Sequence, residues 1–293
     1  MTPVRELLIF SLGYSERDNE CSLFSFTARR INSWKPEDPE NIWELSGLYQ
    51  GDIMLSAENK ISGRNGILDT ATRWPNGIVP YYIEEEDFDR SDIKVIKSGI
   101  KEYHNKTCLR FRPYKESDND YIRIQGNASG CWSMVGRHGK GQVLNLQVGG
   151  CVRHGVVVHE LMHALGFYHQ QSAANRDEWV VIHWDNIKPG KEHNFKKYDI
   201  DTVTDFGYPY DYSSVMHYSA HAFSANGQET ITPKVENAKI GQRLPQTCCN
   251  ALQQNLPKSL IRMHVLTLNT PCRCPRSLPN CSIVPPGTEE SKK

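Results

Sequence analysis

Apolar and polar positions divide the chain into a polar first part, a patterned middle and an irregular remainder. Residues 14–64 are polar, with Pro36 and Pro39 and only short apolar patches, and predict a loosely ordered leader. From Trp74 the pattern becomes globular. Residues 78–83 (Ile-Val-Pro-Tyr-Tyr-Ile) predict a strand whose proline suits an edge position. Ile93, Val95, Ile96 and Ile100 give an apolar side to a helix over residues 92–103. Short strands are expected at 109–114 and 121–124. Residues 141–147 alternate Val143, Leu144 and Leu146 with polar neighbours and predict an edge strand. Val158, Leu161, Met162 and Leu165 fall at the spacing of a buried helical stripe. Beyond residue 169 the chain is polar and turn-rich, which predicts an irregular half.

The second helix carries chemistry on its other arc. His159 and His163 lie four residues apart, so their imidazoles stand one turn above each other and can close on one tetrahedral metal ion. Glu160 follows the first histidine and points beside the metal, where a base must sit to take a proton from water. Gly166 lets the chain turn sharply out of the helix and bring His169 round as a third ligand, leaving a fourth position open. An isolated His-x-x-x-His favours an ordinary core helix with incidental histidines. Here five constrained positions agree, and the longer pattern is the metzincin signature.

Composition narrows the setting. A chain of 293 residues is long enough for one large domain with appendages or for two small ones. Basic and acidic residues each number 34, so no basic footprint points to nucleic acid. No apolar run reaches the length of a membrane span. Nine cysteines and the sequons at Asn105, Asn127 and Asn280 point to an oxidising, secretory compartment. Residues 1–13 offer only Leu7 to Phe10 beside Glu6, a poor signal-peptide core, so a truncated or misassigned start is expected. Cys131 and Cys151 flank the expected edge strand and are spaced to pair across a hairpin-like loop, although spacing alone leaves the connectivity open.

A second constellation lies at residues 210–218. By itself it reads as a tight turn with a core methionine. Beside the histidine motif, Met216 supplies a polarizable apolar floor, and Tyr218 a hydroxyl for a metal or a developing oxyanion. With both in view, the chain resembles the astacin family of zinc endopeptidases, of the metzincin clan. The match runs through His159-Glu160-x-x-His163-x-x-Gly166-Phe167-x-His169, Arg176-Asp177, and Ser214-Val215-Met216-His217-Tyr218. Gly130 to Ser133, Glu229 to Pro233 and Ile240 to Arg243 are also similar, so the likeness covers residues 74–243.

The resemblance implies an α+β catalytic domain of two lobes, with a twisted mixed sheet and the zinc helix in one and irregular structure in the other. It implies one zinc per chain, bound by His159, His163 and His169, with Glu160 as general base and Met216 beneath the site. Tyr218 would be a switchable fifth ligand that stabilises the transition state. Residues 48–55 alone read as a turn. Their likeness to the family's Phe-x-Gly-Asp inhibitory segment, with Tyr49 in place of phenylalanine, makes Asp52 the carboxylate that blocks the zinc in a zymogen. Cys21, with no such motif around it, is set aside as a thiol switch.

Two departures stand out. Gln170 replaces the glutamate that follows the family's third histidine and pairs with the freed amino terminus. After Arg243 the chain leaves the family pattern, so Cys108 is left to pair with Cys248, Cys249, Cys272 or Cys274, or to stay free.

The expected organisation is a leader over residues 1–64 with a basic cleavage point at Arg64, a catalytic domain over 65–247, and a Cys- and Pro-rich tail over 248–293. The expected function is secreted, extracellular hydrolysis of protein or peptide substrates by a monomer, with substrate extended along residues 143–147. The rival expectation is a catalytically silent binding protein on the same fold. Histidines 138, 154, 183 and 193 are expected to be solvated or hydrogen-bonded surface residues.

Overall fold

A computed structural model describes residues 25–55, 70–199 and 209–242. The upper lobe is built on β1 (Ile78–Ile83), β2 (Arg110–Pro113), β3 (Tyr121–Gln125), β4 (Cys131–Ser133) and β5 (Gly141–Leu146). They form one sheet in the order β2-β1-β3-β5-β4, parallel except for the antiparallel β4–β5 pair. Preceded by helix α1 (residues 25–33), the long helices are α2 (Arg90–Lys106) and α3 (His154–Ala164). This is the mixed α+β architecture that the resemblance implied.

Helix α2 starts two residues earlier than expected because Asp89 caps it, its side chain accepting from the Asp92 N–H at 2.8 Å. At its far end Thr107 takes the Tyr103 carbonyl with both N–H and hydroxyl. Helices α2 and α3 cross closely at Gly99, where a Cβ would lie 2.6 Å from Val157 Cγ1. Gly166, at φ 106°, ends the α3 turn in the left-handed region that glycine enters without steric cost.

One strand assignment needs correction. Strand β5 is not an edge, since it lies between β3 and β4; the edge is β4, too short to show any alternation in the sequence. Strand β1, whose Pro80 would suit an edge, lies between β2 and β3. The β1–β3 ladder begins at Tyr81, so the missing N–H of Pro80 falls just before it.

The lower lobe has its own small core of Val180, Ile187, Phe195, Tyr210, Tyr218, Ala222, Phe223 and Ile231. Its one two-stranded sheet pairs β6 (Val180–Ile182) with β7 (Ile231–Pro233), and turns make up most of the rest, as expected.

The leader is not loosely ordered over its described part. Ile31, Trp34, Ile42, Trp43 and Leu45 belong to the same buried cluster as the sheet and α3. These apolar patches are too short to show a period, because their packing partner is the catalytic domain itself. Cys131 and Cys151 form a disulfide with Cα atoms 5.5 Å apart. Cys108 is also disulfide-bonded, while its four candidate partners lie outside the described residues. Also outside them lie Cys21, the Arg64 cleavage point, Asn280 and the tail. Asn105 and Asn127 are exposed. Among the described residues no helix is long and apolar enough to cross a membrane.

Candidate active site

Helix α3 presents His159 and His163 from one face, with ring centroids 4.8 Å apart, and the turn at Gly166 brings His169 within 4.7 Å of His163. One ligand atom from each imidazole and one from Asp52 all lie within 4.8 Å of one another. Asp52 Oδ2 is 2.9 Å from His159 Nε2 and 3.3 Å from His169 Nε2, and Oδ1 is 3.4 Å from His163 Nε2. Each ring faces outward through Nδ1: His159 to the Val215 carbonyl at 2.8 Å, His163 to the Phe167 carbonyl at 2.7 Å, and His169 to Gln50 Oε1 at 3.0 Å. These carbonyl oxygens can only accept, so every Nδ1 donates and every Nε2 turns a lone pair inward.

The electrostatics suit a cation. Burial lowers the pKa of His159, and that of His169 to about 4, which keeps both rings neutral. His163 Nε2, Asp52 Oδ1 and both Glu160 oxygens are buried without a hydrogen-bond partner in the protein. Buried polar atoms left unsatisfied are rare and costly, and a metal ion would satisfy His163 Nε2 and Asp52 Oδ1.

Comparison with known proteins agrees with this geometry. Residues 66–255 match the family model for astacin, a family of peptidases. The chain belongs to the astacin family. It is 48% identical over 235 residues to zinc metalloproteinase nas-14 of Caenorhabditis elegans, covering 71% of this chain and 46% of that protein. It is 42% identical to the meprin A subunit beta of Mus musculus, over 71% of this chain and 29% of that one. The chain thus spans about half or less of these curated relatives. Among solved structures, it is similar to high choriolytic enzyme 1, a hatching enzyme zinc-protease from Oryzias latipes. That likeness has 36% identity and a TM-score of 0.59, over 68% of this chain and 95% of that one. Zinc is the metal of the astacin family, and three imidazoles with one carboxylate form a donor set of the kind it takes.

The other astacin motif residues gather around the same point. Glu160 is fully buried, and burial, reinforced by the Asp52 charge, raises its carboxyl well above the usual range. Tyr218 packs against His169 with ring centroids 4.8 Å apart, and its hydroxyl donates to the Gln50 carbonyl at 2.7 Å. Met216 is buried, and its carbonyl accepts from the Gln170 N–H at 2.8 Å. Gln170 itself is buried. Arg176 is buried as well and ties the lower loops together by donating to the Gln171 and Phe195 carbonyls.

The leader enters the cleft as an added strand. Ser133 N–H donates to the Asp52 carbonyl at 3.0 Å, and Met54 N–H donates to the Ser133 carbonyl at 2.9 Å, with Ile53 parallel to Ser133. The turn expected around Gly51 is also present: Leu48 and Gly51 exchange backbone bonds at 3.0 and 3.1 Å. The chain's own residues 52–54 thus lie along β4 and not along residues 143–147.

Sequence reasoning missed Trp43, Glu44, Gln50 and Ser133. The one signal available was Asn41-Ile-Trp-Glu44, which has the spacing of a capping box. His138, His154 and His183 are hydrogen-bonded, as expected, but half-buried. His193 stacks on Tyr49 of the leader, with ring centroids 6.2 Å apart.

Proposed function

We propose that the protein is a secreted zinc endopeptidase made as a zymogen, with residues 1–64 as leader, 65–247 as catalytic domain and 248–293 as tail. The observation that carries this reading is Asp52, whose carboxylate faces three imidazoles while its backbone occupies the β4 edge. A carboxylate there takes the place that attacking water needs, and a strand there takes the place of a substrate. Export is supported by the disulfides and by the exposed sequons at Asn105 and Asn127, which would carry glycans. The working form is a monomer.

In the mature protein His159, His163 and His169 hold the zinc, and Glu160 and Tyr218 act on the substrate. Zinc, when bound, polarises water and the scissile carbonyl. An extended protein or peptide pairs with Ser133 N–H and C=O, as residues 52–54 do in the latent chain. Glu160 takes the proton of the attacking water and passes it to the departing amine. The Tyr218 hydroxyl, once released from Gln50, donates to the developing oxyanion.

Casein hydrolysis by the chain before and after cleavage at Arg64, with and without chelator and beside Glu160→Ala, tests the reading. Activity is expected only in the cut, metal-replete wild type. Equal inactivity of wild type and Glu160→Ala would favour the silent binding protein, and equal activity of cut and uncut chains would remove the zymogen.

A further inference from the structure

Gln50 is bonded through every polar group it has to the domain that the leader blocks. Its N–H donates to Asn194 Oδ1 at 2.8 Å, and its carbonyl accepts from the Tyr218 hydroxyl at 2.7 Å. Its side-chain Oε1 accepts from His169 Nδ1 at 3.0 Å, and Nε2 donates to Ser172 Oγ at 3.0 Å. The residue is completely buried, at a φ of 48° that side-chain-bearing residues seldom adopt. A tight turn at this place needs only a residue tolerant of that backbone, for which glycine or asparagine serves. Such a turn asks nothing of a long carboxamide.

The three metal-facing histidines also differ in what supports them. His159 and His163 donate Nδ1–H to carbonyls of their own domain, whereas the partner of His169 belongs to the leader. The cradle thus offers a donor at His169 and an acceptor at Ser172, in the order that a carboxamide on a two-methylene stem satisfies. Asparagine is one methylene too short for both, and a carboxylate, which the Ser172 hydroxyl could meet only by turning round to donate, would bury a negative charge there.

We propose that His169, Ser172, Asn194 and Tyr218 form a glutamine-reading subsite, and that Gln50 latches the leader there independently of the metal. This rests on the zymogen reading above. Asp52 binds through the ion, and Gln50 binds through protein hydrogen bonds alone. The two holds are separable.

The full chain, nicked at Arg64, is followed by gel filtration for release of the leader fragment, once loaded with zinc and once in chelator. Gln50→Ala is expected to speed release about ten- to thirty-fold, the worth of two neutral hydrogen bonds, in the chelated state as well as the zinc-loaded one. Asp52→Asn is expected to speed it chiefly in the zinc-loaded state. Ser172→Ala, made in the catalytic domain, reproduces part of the Gln50→Ala effect and adds nothing to it in the double variant.

Release of Gln50→Ala at the wild-type rate, or an effect confined to the zinc-loaded state, would overturn the proposal. So would full additivity with Ser172→Ala. Fragment retention is read without any hydrolysis, so loss of the zymogen reading, seen as equal activity of cut and uncut chains, is a separate result.

Discussion

Glu44 of the leader accepts hydrogen bonds from both the N–H and the hydroxyl of Ser219, the neighbour of Tyr218, at 2.7 and 2.8 Å. Asn41 supplies two more, from its N–H at 2.9 Å and its side-chain amide at 3.1 Å. Burial nevertheless outweighs these donors, and with the Glu40 charge it pushes the Glu44 carboxyl up to about 7. The leader therefore enters the domain with a buried acid whose ionisation opposes docking.

The sign of the pH dependence follows. Between the unperturbed 4.5 and about 7 the docked leader holds a proton that the free one has released. Docking from this group is strongest below 4.5, weakens as pH rises through that interval, and is level above it. The full span is about 3 kcal/mol, an upper bound. Thermal unfolding of wild type and Glu44→Gln from pH 4.5 to 7.5 checks it: the difference in Tm should change across the interval and be flat beyond.

Removing the base should leave the metal in place. Glu160→Gln keeps the three imidazoles and their Nδ1 partners, so zinc content measured by atomic absorption should match wild type. The kcat of the cut protein should fall about 10²- to 10⁴-fold.

Tyr218→Phe keeps the ring that packs among His169, Phe195 and Phe223 but removes the hydroxyl. A fall of about 10²- to 10³-fold in kcat with little change in KM is expected, because the hydroxyl acts on charge that develops only in the transition state. Steady-state kinetics on a quenched peptide separates the two constants.

Loss of the Cys131–Cys151 disulfide should cost about 3 kcal/mol, since it closes a 20-residue separation between the edge strand and the approach to α3. Urea unfolding of the Cys131→Ser, Cys151→Ser double variant measures it.

The zinc helix was legible because metal chemistry constrains residue type and spacing at once: His159, Glu160, His163, Gly166 and His169 leave few other meanings. Strands β1, β2 and β3 and helix α2 were legible from apolar periodicity, with ends displaced where a cap such as Asp89 decides them. The edge strand was not, because the three residues Cys131 to Ser133 are too few to carry a pattern, whereas the interior β5 alternates like an edge. The leader was the largest miss. Trp43 and Ile31 pack on a surface more than a hundred residues away, and Gln50 is held by His169, Ser172, Asn194 and Tyr218. Long-range partners of this kind leave no local period.

Trp43 lies flat on His159, with centroids 4.4 Å apart and planes inclined by 21°, so an indole caps the first of the three imidazoles. On the proposed zymogen reading, departure of the leader would carry that indole into water and redden its emission. Of the six tryptophans, Trp43 is thus a native fluorophore for maturation, and Trp43→Phe supplies the blank. Conversion can be timed in a cuvette with no dye and no substrate.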